Sequence, residues 1–170
     1  MTIRTDKEPE TLGEYNGYEI YPMPMFATIA VADVAAVAAW YERALGFGTM
    51  FSAPGPGGQP SLVHLRRRKY QDLLLTPLPP GSAAADAPPS LTVSFAAGDE
   101  VDALAERARA AAPLGRSAIV GPIDTPWNTR DLRVTDPAGH RLVFTGVNPN
   151  PDPEQKARMQ AMFDRARQQA

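Results

Sequence analysis

The pattern of apolar and polar positions predicts a strand followed by a helix in the first third of the chain. Met25–Val31 contains the run FATIAV, which is typical of a short buried strand. Asp33 follows, and its carboxylate is expected to accept hydrogen bonds from the free N–H groups of a first helical turn. Apolar residues then recur at helical spacing, and Gly46 is expected to end the helix. The apolar stripe of this helix consists of Val34, Val37, Ala38, Tyr41 and Leu45.

Three further strands are predicted after the helix. The segment Ala53–Pro60 (APGPGGQP) separates the first of them from the second, because its glycines and prolines favour a turn. The basic turn Arg67–Lys69 joins the second and third strands into a hairpin. The predicted strands are Gly46–Ser52, Ser61–Arg66 and Tyr70–Thr76. The stretch from Pro77 to Pro89 then reads as a linker, since it is rich in proline, alanine, glycine and serine.

The same order of elements is predicted a second time after the linker. Leu91–Ala97 is a strand, Asp99 is a candidate N-cap, and the segment DEVDALAERARAAA is a second amphipathic helix. Asp33 and Asp99 lie 66 residues apart. An internal duplication of a βαβββ unit is the simplest explanation, and two coincidentally similar α+β segments are the alternative. The last three predicted strands are Ser117–Val120, Arg130–Thr135 and Arg141–Thr145.

The two ends of the chain differ from the duplicated part. Residues 1–22 are polar and are expected to form an arm that orders against the body of the protein. The tail Asp152–Ala170 is expected to be an amphipathic helix with an apolar stripe that needs a partner surface, either on its own body or across a dimer. This stripe consists of Met159, Met162, Phe163 and Ala166. The predicted division of the chain is an arm (1–22), a first module (23–77), a linker (78–89), a second module (90–147) and a helical tail (148–170).

Composition narrows the classes of function. The chain has 170 residues, 44% of them hydrophobic and 21% charged, which is ordinary for a globular protein. Its formal net charge of −2 provides no field that would attract nucleic acid or an anionic membrane. The chain contains no cysteine, which excludes disulfides, thiolate nucleophiles and thiolate metal sites. The N-terminal segment has no apolar core of a signal peptide, and no run approaches the ~20 apolar residues of a membrane span, so a cytoplasmic protein is expected.

Two segments carry a resemblance to a known family. They are MFATIAVADVAAVAAWYERALGF and DTPWNTRDLRVTDPAGHRLVFTG, and both resemble the vicinal oxygen chelate superfamily of glyoxalases, ring-cleaving dioxygenases and bleomycin-type resistance proteins. The resemblance covers roughly residues 23–147, and the second motif looks most like the drug-binding, resistance-like branch. It implies an α+β fold in which tandem βαβββ modules form half-open sheets around a cleft. It also implies a homodimer, as in many relatives.

The resemblance also shows where a metal ion would bind in the enzymes of the family. Their ligands come from the first and fourth strands of each module, usually as His, Gln or Glu side chains. In this chain the matching positions are Phe26, Leu73, Val93 (Thr92 if the register slips by one residue) and Val143. These apolar side chains cannot coordinate a cation. The chain has two histidines, His64 in a strand and His140 in a turn, and neither occupies a ligand position. We therefore predict no metal, no cofactor and no catalytic residue.

Apolar residues at these positions predict a cleft that binds a small molecule. Strand alternation adds neighbours on the same face, and Trp127 stands where resistance-type relatives often place a residue at the cleft mouth. The predicted ligand-binding residues are Phe26, Thr28, His64, Gln71, Leu73, Leu75, Val93, Trp127, Arg130, Arg141 and Val143, with Thr145 beside them.

Three hypotheses of function follow. The first is a binding protein that sequesters a small hydrophobic or aromatic compound, with antibiotics as the class that the resistance proteins suggest. The second is a metal-dependent lyase or dioxygenase whose ligands lie at other positions than those above. The third is an accessory protein that fills its cleft with its own side chains and recruits a partner through the C-terminal helix. The scarcity of histidine argues against the second.

Overall fold

The computed structural model describes residues 13–15, 18–20, 25–82 and 92–168. These residues divide into two compact units. The first unit contains the described residues up to Ser82, except 43–45, which group with the second unit. The second unit contains the rest of the chain.

The first unit contains a short hairpin, a helix and a four-stranded sheet. In the order of the chain its elements are β1 (Gly13–Tyr15), β2 (Tyr18–Ile20), β3 (Ala27–Val31), α1 (Val34–Leu45), β4 (Gly48–Pro54), β5 (Pro60–Arg66) and β6 (Asp72–Pro77). The sheet has the strand order β3-β6-β5-β4. Strand β3 runs parallel to β6, and the other neighbouring strands are antiparallel.

The predicted limits of α1 are confirmed. The side chain of Asp33 accepts a hydrogen bond from the backbone N–H of Ala36 at 2.9 Å, which satisfies one of the free donors of the first turn. Gly46 ends the helix in the left-handed conformation, with φ of 71°. A residue without a Cβ adopts this conformation at little cost.

Helix α1 covers one face of the first sheet. Thr49 of β4 donates a hydrogen bond to Glu42 of α1 at 2.6 Å, and Thr49 lies opposite Leu65 in the sheet. Residues directly opposite each other point to the same face. The helix-covered face therefore carries the buried apolar side chains of the sheet: Ile29, Val31, Val63, Leu65, Leu73 and Leu75. We call the other side the open face.

The second unit repeats this plan. Its elements are β7 (Thr92–Ala96), α2 (Val101–Ala110), β8 (Ala118–Asp124), β9 (Thr129–Thr135), β10 (Arg141–Val147) and α3 (Pro153–Gln168). The strand order β7-β10-β9-β8 matches that of the first sheet, including one parallel pair, β7 with β10. The predicted α+β fold of tandem βαβββ modules is confirmed.

Helix α2 covers one face of the second sheet. Arg130 of β9 binds Asp102 of α2, and Arg130 lies opposite Gly146 of β10. The same face carries the buried rings of Phe95 and Phe144, which stack with centroids 5.2 Å apart. The predicted N-cap Asp99 is wrong: Glu100 precedes the first helical residue, and no side-chain hydrogen bond caps α2. Asp99 lies one residue too early, because a turn at residues 97–100 delays the helix.

Two short stretches of the predicted N-terminal arm, 13–15 and 18–20, are described, and the second contacts the first sheet. Strands β1 and β2 pair as an antiparallel hairpin. The guanidinium of Arg66 donates to the backbone oxygen of Glu19 at 2.6 Å, and the Lys69 ammonium lies 3.3 Å from the Glu19 carboxylate. That carboxylate raises the pKa of Lys69, chiefly through their hydrogen bond. The arm is therefore attached to the ends of β5 and β6.

Two predictions about the connecting segments fall partly beyond the described residues. Most of the predicted linker lies at 83–91, outside them. The tail forms the helix α3, but the side chains of its predicted apolar stripe are also outside the described part. Within that part, no helix is long and apolar enough to cross a membrane.

Candidate functional site

One row of side chains crosses the open face of the first sheet from edge to edge. Thr28 of β3 lies opposite Leu74 of β6, Leu74 opposite His64 of β5, and His64 opposite Phe51 of β4. We call these four residues the first row. Neighbouring strands are about 4.8 Å apart, so the row spans about 14 Å. Phe51 is 46% exposed at one end, and Leu74 and His64 are half-buried.

A matching row crosses the open face of the second sheet. Ser94 of β7 lies opposite Val143 of β10, Val143 opposite Arg133 of β9, and Arg133 opposite Val120 of β8. We call these four residues the second row. Arg133 is exposed, and no hydrogen bond or ion pair of its side chain occurs among the described residues. Val120 is 52% exposed.

The two rows have the same chemical order. Each begins with a hydroxyl and continues with an aliphatic side chain, a nitrogen-bearing side chain and an apolar side chain. Thr28 and Ser94 are separated by the same number of residues as Asp33 and Asp99. The internal duplication therefore extends from the folding pattern to the composition of the open faces.

A buried cluster of charged groups supports His64 in the first row. The Nε2 atom of His64 lies 2.7 Å from Oδ1 of Asp72, and Arg66 Nε donates to the same oxygen at 2.7 Å. The Asp72 side chain is fully buried, and that of Arg66 is 7% exposed. Arg66 in turn reaches the backbone oxygen of Glu19. The cluster fixes the orientation of the His64 ring.

A second polar cluster lies on the open face of the second unit. Asp131 Oδ1 accepts hydrogen bonds from the hydroxyls of Thr129 at 3.0 Å and Thr145 at 2.7 Å. Thr129 also shares a hydrogen bond with Thr125 at 2.8 Å. Asp131 lies opposite Ile123, which is 39% exposed. This cluster places polar groups beside exposed apolar side chains, as in many small-molecule sites.

The prediction of which residues face the cleft is wrong by one position in strands β6 and β7. Leu73 and Leu75 were expected on the open face, but both lie fully buried on the helix-covered face. Leu74 takes the open-face position instead. Val93 likewise lies opposite Leu142 on the covered face, and the alternative Thr92 lies on the open face. The reason is that the runs DLLLT and LTV do not alternate clearly between apolar and polar residues, so their phase depends on the neighbouring strands.

Other predicted residues lie away from the rows. Phe26 precedes β3 and is 45% exposed. Gln71 lies in the turn before β6, where its side chain accepts a hydrogen bond from Arg67. Trp127 lies in the turn between β8 and β9 and is 70% exposed. Thr28 and His64 do lie on the open face of the first sheet, and Arg141, Val143 and Thr145 lie on the open face of the second.

Arg130 has a structural role instead of the predicted place in a cleft. It lies on the helix-covered face and binds Asp102 and Asp124 at 2.8 and 2.6 Å. The hydrogen bond from Arg130 is the main reason that the pKa of Asp102 is lowered. The same two carboxylates raise the pKa of Arg130. Its guanidinium is therefore fully engaged with the protein.

The positions at which first and fourth strands meet offer few metal ligands. The central open-face pairs there are Thr28 with Leu74 and Ser94 with Val143, and the flanking pairs are Ala30 with Thr76, Thr92 with Arg141 and Ala96 with Thr145. Hydroxyls and aliphatic groups are poor ligands for transition metals. In the part of the chain that the structure describes, no three His, Asp or Glu side chains come close enough to hold an ion together.

Sequence reasoning missed several features of these faces. Leu74, Arg133, Phe51 and Val120 were not expected to line a site, although the first three lie opposite residues of the predicted set. These four residues could have been found by counting along the strands from His64 and Val143, but only if the pairing of the strands had been known. A cavity of about 460 Å³ at the start of α1 was also not predicted. Four prolines line it together with Asp33, Gln59 and Ser61, and it contains no residue of the first row.

Solved structures with the same fold include antibiotic-binding proteins. TioX from Micromonospora sp. ML1 is 25% identical, with a TM-score of 0.57 over 72% of this chain and 97% of TioX. TnmS3, an antibiotic binding protein from Streptomyces sp. CB03234, is 24% identical, with a TM-score of 0.53 over 72% of this chain and 93% of TnmS3. The bleomycin-binding protein from bleomycin-producing Streptomyces verticillus, complexed with copper(II)-bleomycin, is 22% identical, with a TM-score of 0.55 over 75% of this chain and 98% of that protein.

A comparison with curated proteins found no match. The model of one protein family matches residues 25–144, which is most of the chain and includes both sheets. This match confirms the resemblance seen in the two sequence segments. The chain therefore belongs to the Glyoxalase/Bleomycin resistance protein/Dioxygenase superfamily.

Proposed function

We propose that this protein binds and sequesters a small hydrophobic or aromatic compound on its open faces without a metal ion. One observation carries the proposal: hydroxyl and aliphatic side chains stand where the first and fourth strands of each unit meet. The resemblance implies that the metalloenzymes of the family hold their ion at the corresponding strands. With such side chains, the open faces suit the burial of an apolar ligand better than the polarisation of a substrate.

The energetics of sequestration are favourable for such faces. A ligand that buries about 300 Å² of apolar surface gains roughly 7.5 kcal/mol before the cost of association. An aromatic ligand in contact with Phe51 gains about 0.5–1.5 kcal/mol more from ring packing. The hydroxyl of Thr28 and the imidazole of His64 supply the few polar groups that orient a ligand in an apolar site.

The biological setting that we propose is protection against an antibiotic. The fold of this chain serves antibiotic binding in TnmS3 and bleomycin binding in the Streptomyces verticillus protein. These proteins share the fold of this chain, but their ligands do not identify its ligand. The ligand of this chain must match its own side chains. The second row carries the cation Arg133, and Arg141 lies on the same face, which favours a neutral or anionic compound over a cationic one. The cytoplasm as location and a homodimer as assembly are part of the proposal.

Calorimetric titration with a panel of aromatic natural products, together with metal analysis of the purified protein, tests this function. We expect binding that survives dialysis against EDTA and a preparation without a stoichiometric metal. Leu74→Lys should weaken binding at least tenfold, because it places a charge in the middle of the first row. The matched control Ala103→Lys changes an exposed position of α2 and should bind normally.

Two outcomes would contradict the proposal. One equivalent of manganese, iron, nickel or zinc, with ligand turnover that depends on it, would favour the metalloenzyme. Absence of binding across the panel would favour an accessory protein that acts through α3.

A further inference from the structure

His64 is the polar centre of the first row, and its hydrogen bonding determines what it can offer a ligand. Its Nε2 atom lies 2.7 Å from Asp72 Oδ1. A carboxylate accepts hydrogen bonds and cannot donate them. Nε2 must therefore carry a proton. The proton of a neutral imidazole resides on one nitrogen only, so Nδ1 then has a free lone pair.

Asp72 is shared by two donors in the buried cluster. Arg66 is permanently charged and donates to the same Asp72 oxygen at 2.7 Å. The buried carboxylate is thus already paired with one cation. His64 and Arg66 thus donate to one carboxylate oxygen, and a neutral imidazole makes its contact with Asp72 through the proton on Nε2 alone.

The Nδ1 atom of His64 is available to a ligand. The contact with Asp72 is the single hydrogen bond of the His64 side chain among the described residues. Nδ1 is not among the buried side-chain atoms that lack a partner in this part of the chain. It therefore reaches solvent from the open face, on which Leu74 and Phe51 are the neighbours of His64.

We infer that His64 Nδ1 acts as the hydrogen-bond acceptor of the first row and selects aromatic compounds that carry a donor, such as a phenolic hydroxyl. This inference deepens the proposed function and rests on it. Leu74 and Phe51 contact the apolar part of the compound, and Nδ1 accepts a hydrogen bond from its hydroxyl. Asp72 and Arg66 are positioning residues, because they act on the ligand only through the state of His64.

The first experiment determines the state of the ring without any ligand. Long-range 1H–15N correlation spectra at pH 8 distinguish a protonated from an unprotonated ring nitrogen. The chain has two histidines, so the variant His140→Gln assigns the signals. We expect a protonated Nε2 and an unprotonated Nδ1 for His64. A proton on Nδ1, with or without one on Nε2, would overturn the inference.

The second experiment compares two probes, 2-naphthol and 2-methoxynaphthalene, which share the ring system and differ in the donor. We expect the ether to bind about 5–10-fold more weakly, since one hydrogen bond is lost. Only 2-naphthol should shift the Nδ1 resonance of His64. In His64→Phe the two probes should bind alike, whereas His140→Gln should keep the difference.

The outcomes separate the inference from the function on which it rests. Equal binding of both probes to the unchanged protein would overturn the selection by His64 and leave hydrophobic sequestration intact. Failure of both probes to bind the first row would contradict both the proposed function at this face and the selection, whatever the state of the ring.

Discussion

Arg130 of β9 holds Asp102 of α2 through two short parallel hydrogen bonds, from Nε to Oδ2 at 2.9 Å and from Nη2 to Oδ1 at 2.8 Å, and a longer one from Nε to Oδ1 at 3.2 Å. Its Nη1 atom donates to Asp124 of β8 at 2.6 Å. One guanidinium thus ties the first turn of α2 to two strands of the second sheet. Parallel hydrogen bonds to a carboxylate need the planar fork of arginine, which lysine lacks.

This pair predicts a dependence of stability on pH. Arg130 lowers the pKa of Asp102 below its ordinary value of 3.8, so the pair stabilises the fold above that value. The contribution is lost as the pH falls through the lowered pKa, because Asp102 then takes up a proton. The Asp102 side chain is 56% exposed, so solvent screens the pair. We expect Asp102→Asn to reduce the free energy of unfolding by about 0.5 kcal/mol at neutral pH.

Urea denaturation of Asp102→Asn and of the unchanged protein checks this expectation. The difference between them should shrink in strong acid and in high salt. Asp99→Asn is the matched control, since Asp99 is an exposed acid before the same helix and has no such partner among the described residues. A deficit of Asp102→Asn that persisted in acid would refute the electrostatic explanation.

The neighbouring leucines of β6 should respond to substitution in opposite ways. Leu75 is fully buried on the helix-covered face, so Leu75→Ala is expected to cost about 2–5 kcal/mol of stability. Leu74 is half-buried on the open face, so Leu74→Ala should cost much less and should instead weaken the binding of 2-naphthol. Denaturation and calorimetry of the two variants measure both effects. If Leu74→Ala were the strongly destabilising variant and Leu75→Ala the one that weakens binding, the register predicted from the sequence would be the correct one.

Gly146 is predicted to tolerate no larger residue. A Cβ at this position would overlap the backbone oxygen of Gly98 and lie 2.8 Å from Cγ2 of Val101. A backbone oxygen cannot move aside as a flexible side chain can. Gly146→Ala is therefore expected to destabilise the second unit by about 1–3 kcal/mol or more. Thermal unfolding measures the loss, and a melting temperature equal to that of the unchanged protein would show that the approach of the turn at Gly98 is looser than described.

Arg133 is expected to favour anionic aromatic ligands. Its exposed guanidinium lies between Val143 and Val120 in the second row. Arg133→Gln should weaken the binding of 2-naphthoate several-fold and should have little effect on 2-naphthol. The control Lys156→Gln removes the same charge from an exposed position of α3 and should leave both affinities unchanged. Equal losses in the two variants would indicate a general effect of net charge and no direct contact.

Much of the fold could be predicted from the sequence because local signals mark its elements. Asp33 and Gly46 delimit α1 through their own side-chain and backbone chemistry, which needs no distant partner. The second helix was harder to delimit, since Asp99 and Glu100 both suit a helix start and a turn decides between them. The order of elements repeats after 66 residues, and this repetition identified the second module although the N-cap of its helix was misplaced at Asp99.

The site could be predicted less well, because it depends on which residues face each other across a sheet. Leu73, Leu74 and Leu75 are identical in type, and only pairing with His64 tells which one is on the open face. Arg130 and Arg133 present the same difficulty, since one binds α2 and the other lies in the second row. The hairpin of β1 and β2 was not predicted, because its strands are three residues each and are attached by a residue 47 positions away.

The attachment of that hairpin through the main-chain oxygen of Glu19 has a practical consequence. Arg66 binds a backbone oxygen, so this hydrogen bond does not depend on the side chain at position 19, whereas displacement of the strand would break it. An N-terminal fusion that displaced β2 would therefore remove this hydrogen bond. Any disturbance would pass from Arg66 to Asp72 and on to His64. Protein engineers who wish to preserve ligand selection should therefore add such extensions at the C-terminus.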